Sequence, residues 1–263
     1  MYKDEVSAYC DANVQAEWER MERHPVEFTI NKHYIDEYVR PGMRVLDIGG
    51  GPGRYSMHLA QRGCEVTLLD LSAGNVEFAR AKAESMGLNI RAVQGDACAL
   101  GELAQGEFDA VLLMGPLYHL LNWEERAQAA AQAYAALRDG GYVFAACINS
   151  YAGIMYYLQN DPSIIFAESE LEYVAAVERG ESYSGAGFTQ MHMMGCDEFT
   201  TLMGSAGFKQ LHIANSEGMC SPREPEIARS PEVLKRWIEF SLKVCERPEL
   251  MGMAEHLLYV GKK

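Results

Sequence analysis

Val45-Leu46-Asp47-Ile48-Gly49-Gly50-Gly51-Pro52-Gly53-Arg54-Tyr55 is the stretch on which the fold turns. Apolar residues and one acid run straight into a loop with four glycines, and Ser56-Met57-His58-Leu59-Ala60 then reads as the start of a helix. A buried strand, a glycine turn and a helix N-terminus make a site for a nucleotide-like ligand. Glycines let the backbone approach that ligand closely and tolerate positive φ.

Upstream, residues 1–40 read as helical, with Trp18, Met21, Phe28, Ile30, Tyr34, Ile35 and Tyr38 as apolar positions and Pro25 opening a second helix. These helices are either a cap over the sheet edge or a lid over the ligand that contributes Tyr34 or His33. Pro41-Gly42 leads into the first strand, Arg44 to Ile48. Downstream, strands and helices alternate. Glu65 to Leu69 ends in Asp70, and a helix starts near Ser72. Ile90 to Val93 ends in Gly95-Asp96-Ala97, and Phe108 to Leu113 ends in Met114-Gly115-Pro116. Asn122-Trp123-Glu124-Glu125 is a capping box before an alanine-rich helix, and Tyr142 to Ile148 makes a fifth strand. Crossovers of this length imply a doubly wound parallel α/β sheet.

Beyond Asn149 the rhythm fails. Residues 151–195 are rich in Tyr, Met, Gly and Glu and carry one helix near Leu171 to Val177. A helix with Phe199, Leu202 and Met203, a strand Phe208 to Ala214, a helix whose Leu234, Trp237, Ile238 and Leu242 form a core stripe, and a last strand His256 to Val260 follow. The expected organisation is a helical cap over 1–40, a ligand-binding domain over 41–150 and 196–263, and a substrate-lid insertion over 151–195.

The 263 residues carry a formal net charge of −14, which repels phosphate backbones and anionic headgroups and argues against nucleic-acid or membrane partners. Seven scattered cysteines without a CxxC pair fit reduced thiols in a cytoplasmic protein. The N-terminal residues lack the apolar core of a signal peptide, and no apolar run reaches membrane-spanning length. The histidines at 24, 33, 58, 119, 192, 212 and 256 are dispersed, so no metal site is expected.

Open α/β sheets bind ligands at the carboxyl ends of their strands. Four strand ends come to one edge: Asp47 with the glycine loop, Asp70, Asp96-Ala97 and Met114-Gly115-Pro116. An acid ending the second strand suits a ribose, since a carboxylate accepts bonds from both hydroxyls. Asp96 can accept from an adenine amino group, with Ala97 supplying backbone.

The ordered series VLDIGGGPGRYS, TLLDLS, VQGDA, FDAVLLMGPLYHL and LRDGGYVF resembles class I S-adenosylmethionine-dependent methyltransferases, of the small-molecule branch. The resemblance is close over residues 40–150 and looser over the final strands. It implies a seven-stranded, Rossmann-like sheet with an antiparallel last strand, and S-adenosylmethionine as cofactor. Asp47, Gly49, Gly51 and Gly53 would shape the methionine pocket, Asp70 would hold the ribose, Leu71, Asp96 and Ala97 would meet the adenine, and Met114 would line the sulfonium side. The rivals are a non-catalytic binder of the same cofactor and a nicotinamide dehydrogenase. The dehydrogenase fingerprint usually lacks an acid two residues before its first glycine, and it leaves the later strand ends unexplained. A sulfonium methyl is already activated, so transfer depends on positioning and desolvation, with a base required only for some acceptors. Tyr118 and His119, beyond the fourth strand end, are the candidate catalytic residues. Tyr151, Met155, Tyr156, Tyr157, Phe188, Met191, His192 and Met193 are the candidate lining for a small-molecule acceptor.

Overall fold

The computed structural model describes residues 2–263. Two helices, α1 (Tyr2–Arg23) and α2 (Pro25–Tyr38), precede the alternating unit β1 (Arg44–Ile48), α3 (Arg54–Gln61), β2 (Glu65–Asp70), α4 (Ala73–Ser85), β3 (Ile90–Gln94), β4 (Phe108–Leu113), α5 (Trp123–Ala136) and β5 (Leu137–Asn149). Then come α6 (Ala152–Asn160), α7 (Leu171–Glu178), β6 (Tyr183–Ala186), β7 (Gln190–Met194), α8 (Cys196–Ser205), β8 (Lys209–Asn215), α9 (Glu224–Ile227), α10 (Pro231–Val244) and β9 (His256–Lys262).

β1 to β5 are mutually parallel in the order β3-β2-β1-β4-β5, and β9 runs antiparallel between β5 and β8. Those seven strands are the sheet the sequence implies. The sheet has nine in all, because the 151–195 segment adds a hairpin: β7 pairs with the end of β5 (Ile148 with Met193, Asn149 with Met194) and β6 pairs with β7. The two strands of this hairpin, Tyr183-Ser-Gly-Ala and Gln190-Met-His-Met-Met, carry neither clean alternation nor a β-branched residue, so the pattern that announces strands is missing.

Alternation decides which face each residue serves. Leu46, Ile48, Val111 and Leu113 point to a layer made by α5 and α8, where Ala129, Ala130, Ala133 and Ala136 let α5 lie close to the sheet. Val45, Ala110, Leu112 and Phe144 point the other way, onto Val26, Ile30 and Ile35 of α2 and onto Tyr55 and Leu59 of α3. Each such large side chain stabilises the fold by about 1.5–3 kcal/mol.

The helix starts follow their capping residues. Ser72 Oγ accepts from Asn75 N at 3.0 Å, and Asn122 Oδ1 accepts from Glu125 N at 2.9 Å while its amide donates back to Glu125 Oε2 at 2.8 Å. Trp237 departs from the expected stripe. It is 41% exposed, while Leu234, Ile238 and Leu242 pack inward. The fifth strand also begins earlier than expected, at Leu137, and the Asp139-Gly140-Gly141 turn residues lie within it.

Candidate functional site

β1 delivers the chain into the glycine loop against β4. Gly49 has φ +67 and its N–H donates to Leu69 O at 2.6 Å; a Cβ there would lie 2.5 Å from the Pro116 ring. Gly51 has φ +57 and nothing within 4 Å of where a Cβ would stand, so its open side belongs to the cleft it lines. Gly53 sits elsewhere than expected. It turns the chain into α3 from behind the loop, beside Leu68, Met57 and Ala79, and shapes the pocket only through the loop.

Asp47 is 2% exposed, and among the described residues its one bond from a side chain is from Ser56 Oγ, at 2.7 Å. Burial, reinforced by the charge of Asp70 and opposed by the Ser56 bond, pushes its carboxyl up to about 6. A buried anion without a cationic partner is costly, and a cationic ligand would relieve that cost.

Asp70 organises the next strand end. Its Oδ1 accepts from Ser72 N at 2.9 Å and Asn75 Nδ2 at 3.1 Å, and its Oδ2 accepts from Gly51 N at 2.8 Å. A carboxylate offers about four lone-pair directions, so these three bonds leave one acceptor position on Oδ2. Leu71, Asp96 and Ala97 line the same cleft as Asp70, together with Lys3, Val6 and Cys10 from α1. Asp96 Oδ1 accepts from Cys98 N at 2.8 Å and Oδ2 takes Lys3 Nζ at 2.9 Å. Burial raises its pKa, but these donors outweigh burial and hold it below the ordinary value.

The N-terminal helix therefore covers the cleft. Asp11 Oδ1 accepts Gly74 N at 2.9 Å, and Trp18 packs on Phe78 while the Arg54 guanidinium lies 4.4 Å from the Trp18 ring centroid. α1 lies over the ligand edge rather than beside it. Tyr34 is not brought there. It lies on α2 in the opposite layer, 4% exposed, with its hydroxyl donating to Glu246 at 2.7 Å, and His33 is exposed to solvent.

Met114 lines the pocket under the glycine loop. Tyr118 lines that pocket and the cleft beside it, with its hydroxyl donating to Met114 O at 3.2 Å. His119 also faces the cleft, between Tyr118 and Phe188, and its Nδ1 meets Gln190 O at 3.4 Å. Burial lowers its pKa, so the ring is neutral at neutral pH. His192 lies outside the cavities. Its two nitrogens are taken by Ser184 Oγ at 2.7 Å and Glu198 Oε1 at 2.9 Å, which makes it a structural pin for the hairpin.

The 151–195 segment and β5 enclose a cavity of about 490 Å³ lined by Tyr156, Tyr157, Tyr173, Phe188, Met191 and Met193, within the usual size of a small-molecule site. Tyr151 and Met155 lie away from it, while Tyr173 joins it. His256 lines both this cavity and the pocket under the glycine loop.

Around His256 the fold gathers a charged cluster that sequence order conceals. Arg20 Nη1 and Nη2 reach Glu27 at 2.6 and 3.2 Å, and Glu217 bonds His256 Nδ1. Glu27 is buried, yet Arg20 holds its carboxyl down at about 2. Burial disfavours the His256 imidazolium, but Glu217 and Glu27 prevail and push it up to about 9. Glu27, Glu217 and His256 each bring a donor atom within 4.8 Å of the others, with Arg20 already supplying positive charge there. Residues 27, 217 and 256 are too far apart in sequence for spacing to reveal them.

A family model described as "Methyltransferase domain" matches residues 45–141. The ubiquinone biosynthesis O-methyltransferase of Methylocella silvestris is 39% identical over 133 residues, 49% of each chain, and that of Shewanella pealeana 34% identical over 119 residues, 44% of this chain and 49% of its own. The chain spans about half the length of these curated relatives. Among solved structures, a possible histamine N-methyltransferase of Thermotoga maritima superposes with TM-score 0.60 at 17% identity, covering 98% of this chain and 99% of its own. A 1,6-didemethyltoxoflavin-N1-methyltransferase of Burkholderia thailandensis does so with TM-score 0.58 at 16% identity, covering 100% and 91%. The structural likeness shows the fold; the sequence likeness falls on the segment that builds the cleft. Residues 45–141 match the methyltransferase domain model, and the chain shares the fold of solved S-adenosylmethionine-dependent methyltransferases.

Proposed function

We propose that the protein transfers the methyl group of S-adenosylmethionine to a small-molecule acceptor and releases S-adenosylhomocysteine. The observation that carries this reading is one continuous edge. It joins Asp47, a buried acid with no cationic partner among the described residues, Asp70 with one free acceptor position, the Asp96-Ala97 corner and an aromatic cavity of about 490 Å³. Bound there, S-adenosylmethionine supplies an activated methyl on a sulfonium.

In this reading Asp47 and the open face of Gly51 receive the methionine end, Asp70 accepts a ribose hydroxyl, and Leu71, Asp96 and Ala97 hold the adenine. Gly49 lets the loop lie against Pro116, and Gly53 turns it into α3. Met114 and the Tyr118 ring line the sulfonium side, where an aromatic face favours a cation. Tyr118 and His119 flank the path to the acceptor, and neutral His119 accepts a hydrogen bond from it. The helices over 1–40 seal the donor cleft, and the 151–195 segment selects the acceptor. Names of the curated relatives, which act in ubiquinone biosynthesis as O-methyltransferases, support a small-molecule acceptor.

The net charge of −14 supports a partner that is neither nucleic acid nor anionic lipid. Among the described residues no helix is long and apolar enough to cross a membrane. Seven free cysteines support a reducing, cytoplasmic setting. The test is a panel of phenols, amines and thiols incubated with S-adenosylmethionine, with S-adenosylhomocysteine measured. Release above the no-acceptor background is expected with at least one class. Tight binding of S-adenosylhomocysteine without turnover of any would make the protein a binder of this cofactor.

A further inference from the structure

His256 opens β9, and its ring stands where the pocket under the glycine loop, the space beneath α1 and the aromatic cavity meet. Glu217, 2% exposed, bonds Nδ1 and also accepts the His256 backbone N–H at 3.1 Å. One carboxylate thereby fixes the ring angle and keeps hydrogen on Nδ1. Among the described residues Nε2 has no hydrogen-bond partner, and it is not a sealed polar atom, so it opens to the cavity. A carboxylate-oriented imidazole with its second nitrogen free is an arrangement for moving a proton.

We propose that the Glu217–His256 dyad takes the proton from the methyl acceptor, and that this acceptor is an aromatic hydroxyl seated in the cavity between Tyr157, Tyr173, Phe188, Met191 and Met193. The inference rests on the methyl-transfer reading above. His256 is the catalytic residue and Glu217 its positioning residue. As the oxygen bonds the methyl carbon, the O–H proton passes to Nε2. The carbon–sulfur bond breaks with its pair left on sulfur, and imidazolium, methyl ether and thioether result. The imidazolium then returns its proton to solvent. A neutral hydroxyl is a poor nucleophile and needs such a base, whereas a neutral amine does not.

The groups facing His256 suit this task. Glu217 from the turn after β8 and Glu27 from α2 favour the imidazolium, and Arg20 from α1 opposes it. Glu17, His24, Tyr118 and Glu255 line the same cavities. Raised to about 9, the imidazole lies close to a phenol, whose ordinary value is about 10, so the proton moves between nearly matched partners. An incoming sulfonium is a second cation beside the ring and favours its neutral form.

Two variants test this, His256→Asn and Glu217→Gln, with simple phenols, catechols and matched anilines as acceptors. His256→Asn is expected to bind S-adenosylhomocysteine within about twofold of the parent and to lose about 100-fold in kcat toward phenols, with KM little changed. Glu217→Gln removes the anion that favours imidazolium, so the acid limb of kcat moves to lower pH by about one unit. Without any acceptor, calorimetry in two buffers of different ionisation heat should show more protons released on binding S-adenosylmethionine than S-adenosylhomocysteine, a difference His256→Asn abolishes. Anilines methylated while phenols stay inert would overturn the hydroxyl assignment and leave the transfer reading standing. An unmoved acid limb, or an unchanged proton difference in His256→Asn, would overturn the dyad. Turnover that requires an added divalent cation, a requirement His256→Asn removes, would overturn it as well, by making the cluster a cation site. Failure to bind either cofactor form would instead remove the underlying reading.

Discussion

Replacing Asp70 by Ala removes both the internal bonds of this carboxylate and the ribose contact proposed for it. It accepts three bonds from the chain, from Gly51 N, Ser72 N and Asn75 Nδ2, and keeps one acceptor position on Oδ2 for a ligand hydroxyl. A hydrogen bond to a charged group is worth about 1.5–3 kcal/mol, so loss of the ligand bond alone weakens S-adenosylhomocysteine binding by roughly 10- to 100-fold. Loss of the internal bonds also strands the Gly51 and Ser72 N–H groups, each costing about 1–3 kcal/mol unless water reaches it. Lower stability is therefore expected alongside weaker binding. Asn at this position keeps one carbonyl for Ser72 but turns an NH₂ toward the Gly51 N–H or the ligand, so Asp70→Asn should weaken binding with a smaller stability loss. Titration calorimetry with S-adenosylhomocysteine and thermal denaturation read the two quantities separately. Affinity within twofold of the parent in both variants would refute the ribose assignment, however much stability falls.

Asp47→Asn should raise the thermal midpoint of the ligand-free protein by several degrees above pH 6 while weakening cofactor binding. The folded pKa of Asp47 is raised to about 6, so its stabilising contribution is complete below the unfolded value near 4 and is lost as pH rises through 6; an unchanged or lower midpoint at pH 8 would contradict this. For His256, raised to about 9, the stabilising contribution is complete below its unfolded value near 6.5 and is lost as pH climbs through 9. Denaturant midpoints between pH 7 and 9.5 should thus fall less in His256→Asn than in the parent. On the proposal that His119 orients the acceptor, His119→Ala should cut kcat about tenfold without moving the acid limb of the pH profile; normal turnover would remove it from the site. Phe188→Ala opens the wall of the acceptor cavity and should raise KM for an aromatic acceptor with cofactor affinity unchanged; steady-state kinetics decide it.

Much of the proposed donor side was legible because it is written locally. Asp47, the glycines, Asp70 and Asp96-Ala97 stand at strand ends, and parallel register carries strand ends to one edge whatever the loops do. Gly53 and Tyr34 show where that logic thins. Gly53 serves the turn behind the loop, and Tyr34 follows its helix into the opposite layer, a matter of helix phase that motif spacing does not encode. The proposed acceptor side is non-local. His192, conspicuous in sequence, is saturated by Ser184 and Glu198, whereas His256, indistinguishable from any strand residue, becomes singular only when Glu217 and Glu27 fold beside it. The hairpin at 183–194 lacked strand periodicity, since Met191 to Met194 are buried on both faces against the buried end of β5 rather than on one alternating face.

The most direct measurement is a crystal structure of the full chain with S-adenosylhomocysteine. The adenine should lie between Leu71 and Ala97, a ribose hydroxyl should reach Asp70 Oδ2, and the amino-acid end should lie by Asp47 and Gly51. The sulfur should face Tyr118 and the His256 side of the aromatic cavity. A ligand whose ribose avoids Asp70, or whose sulfur faces away from that cavity, would contradict the reading of this edge as a methyl-transfer site.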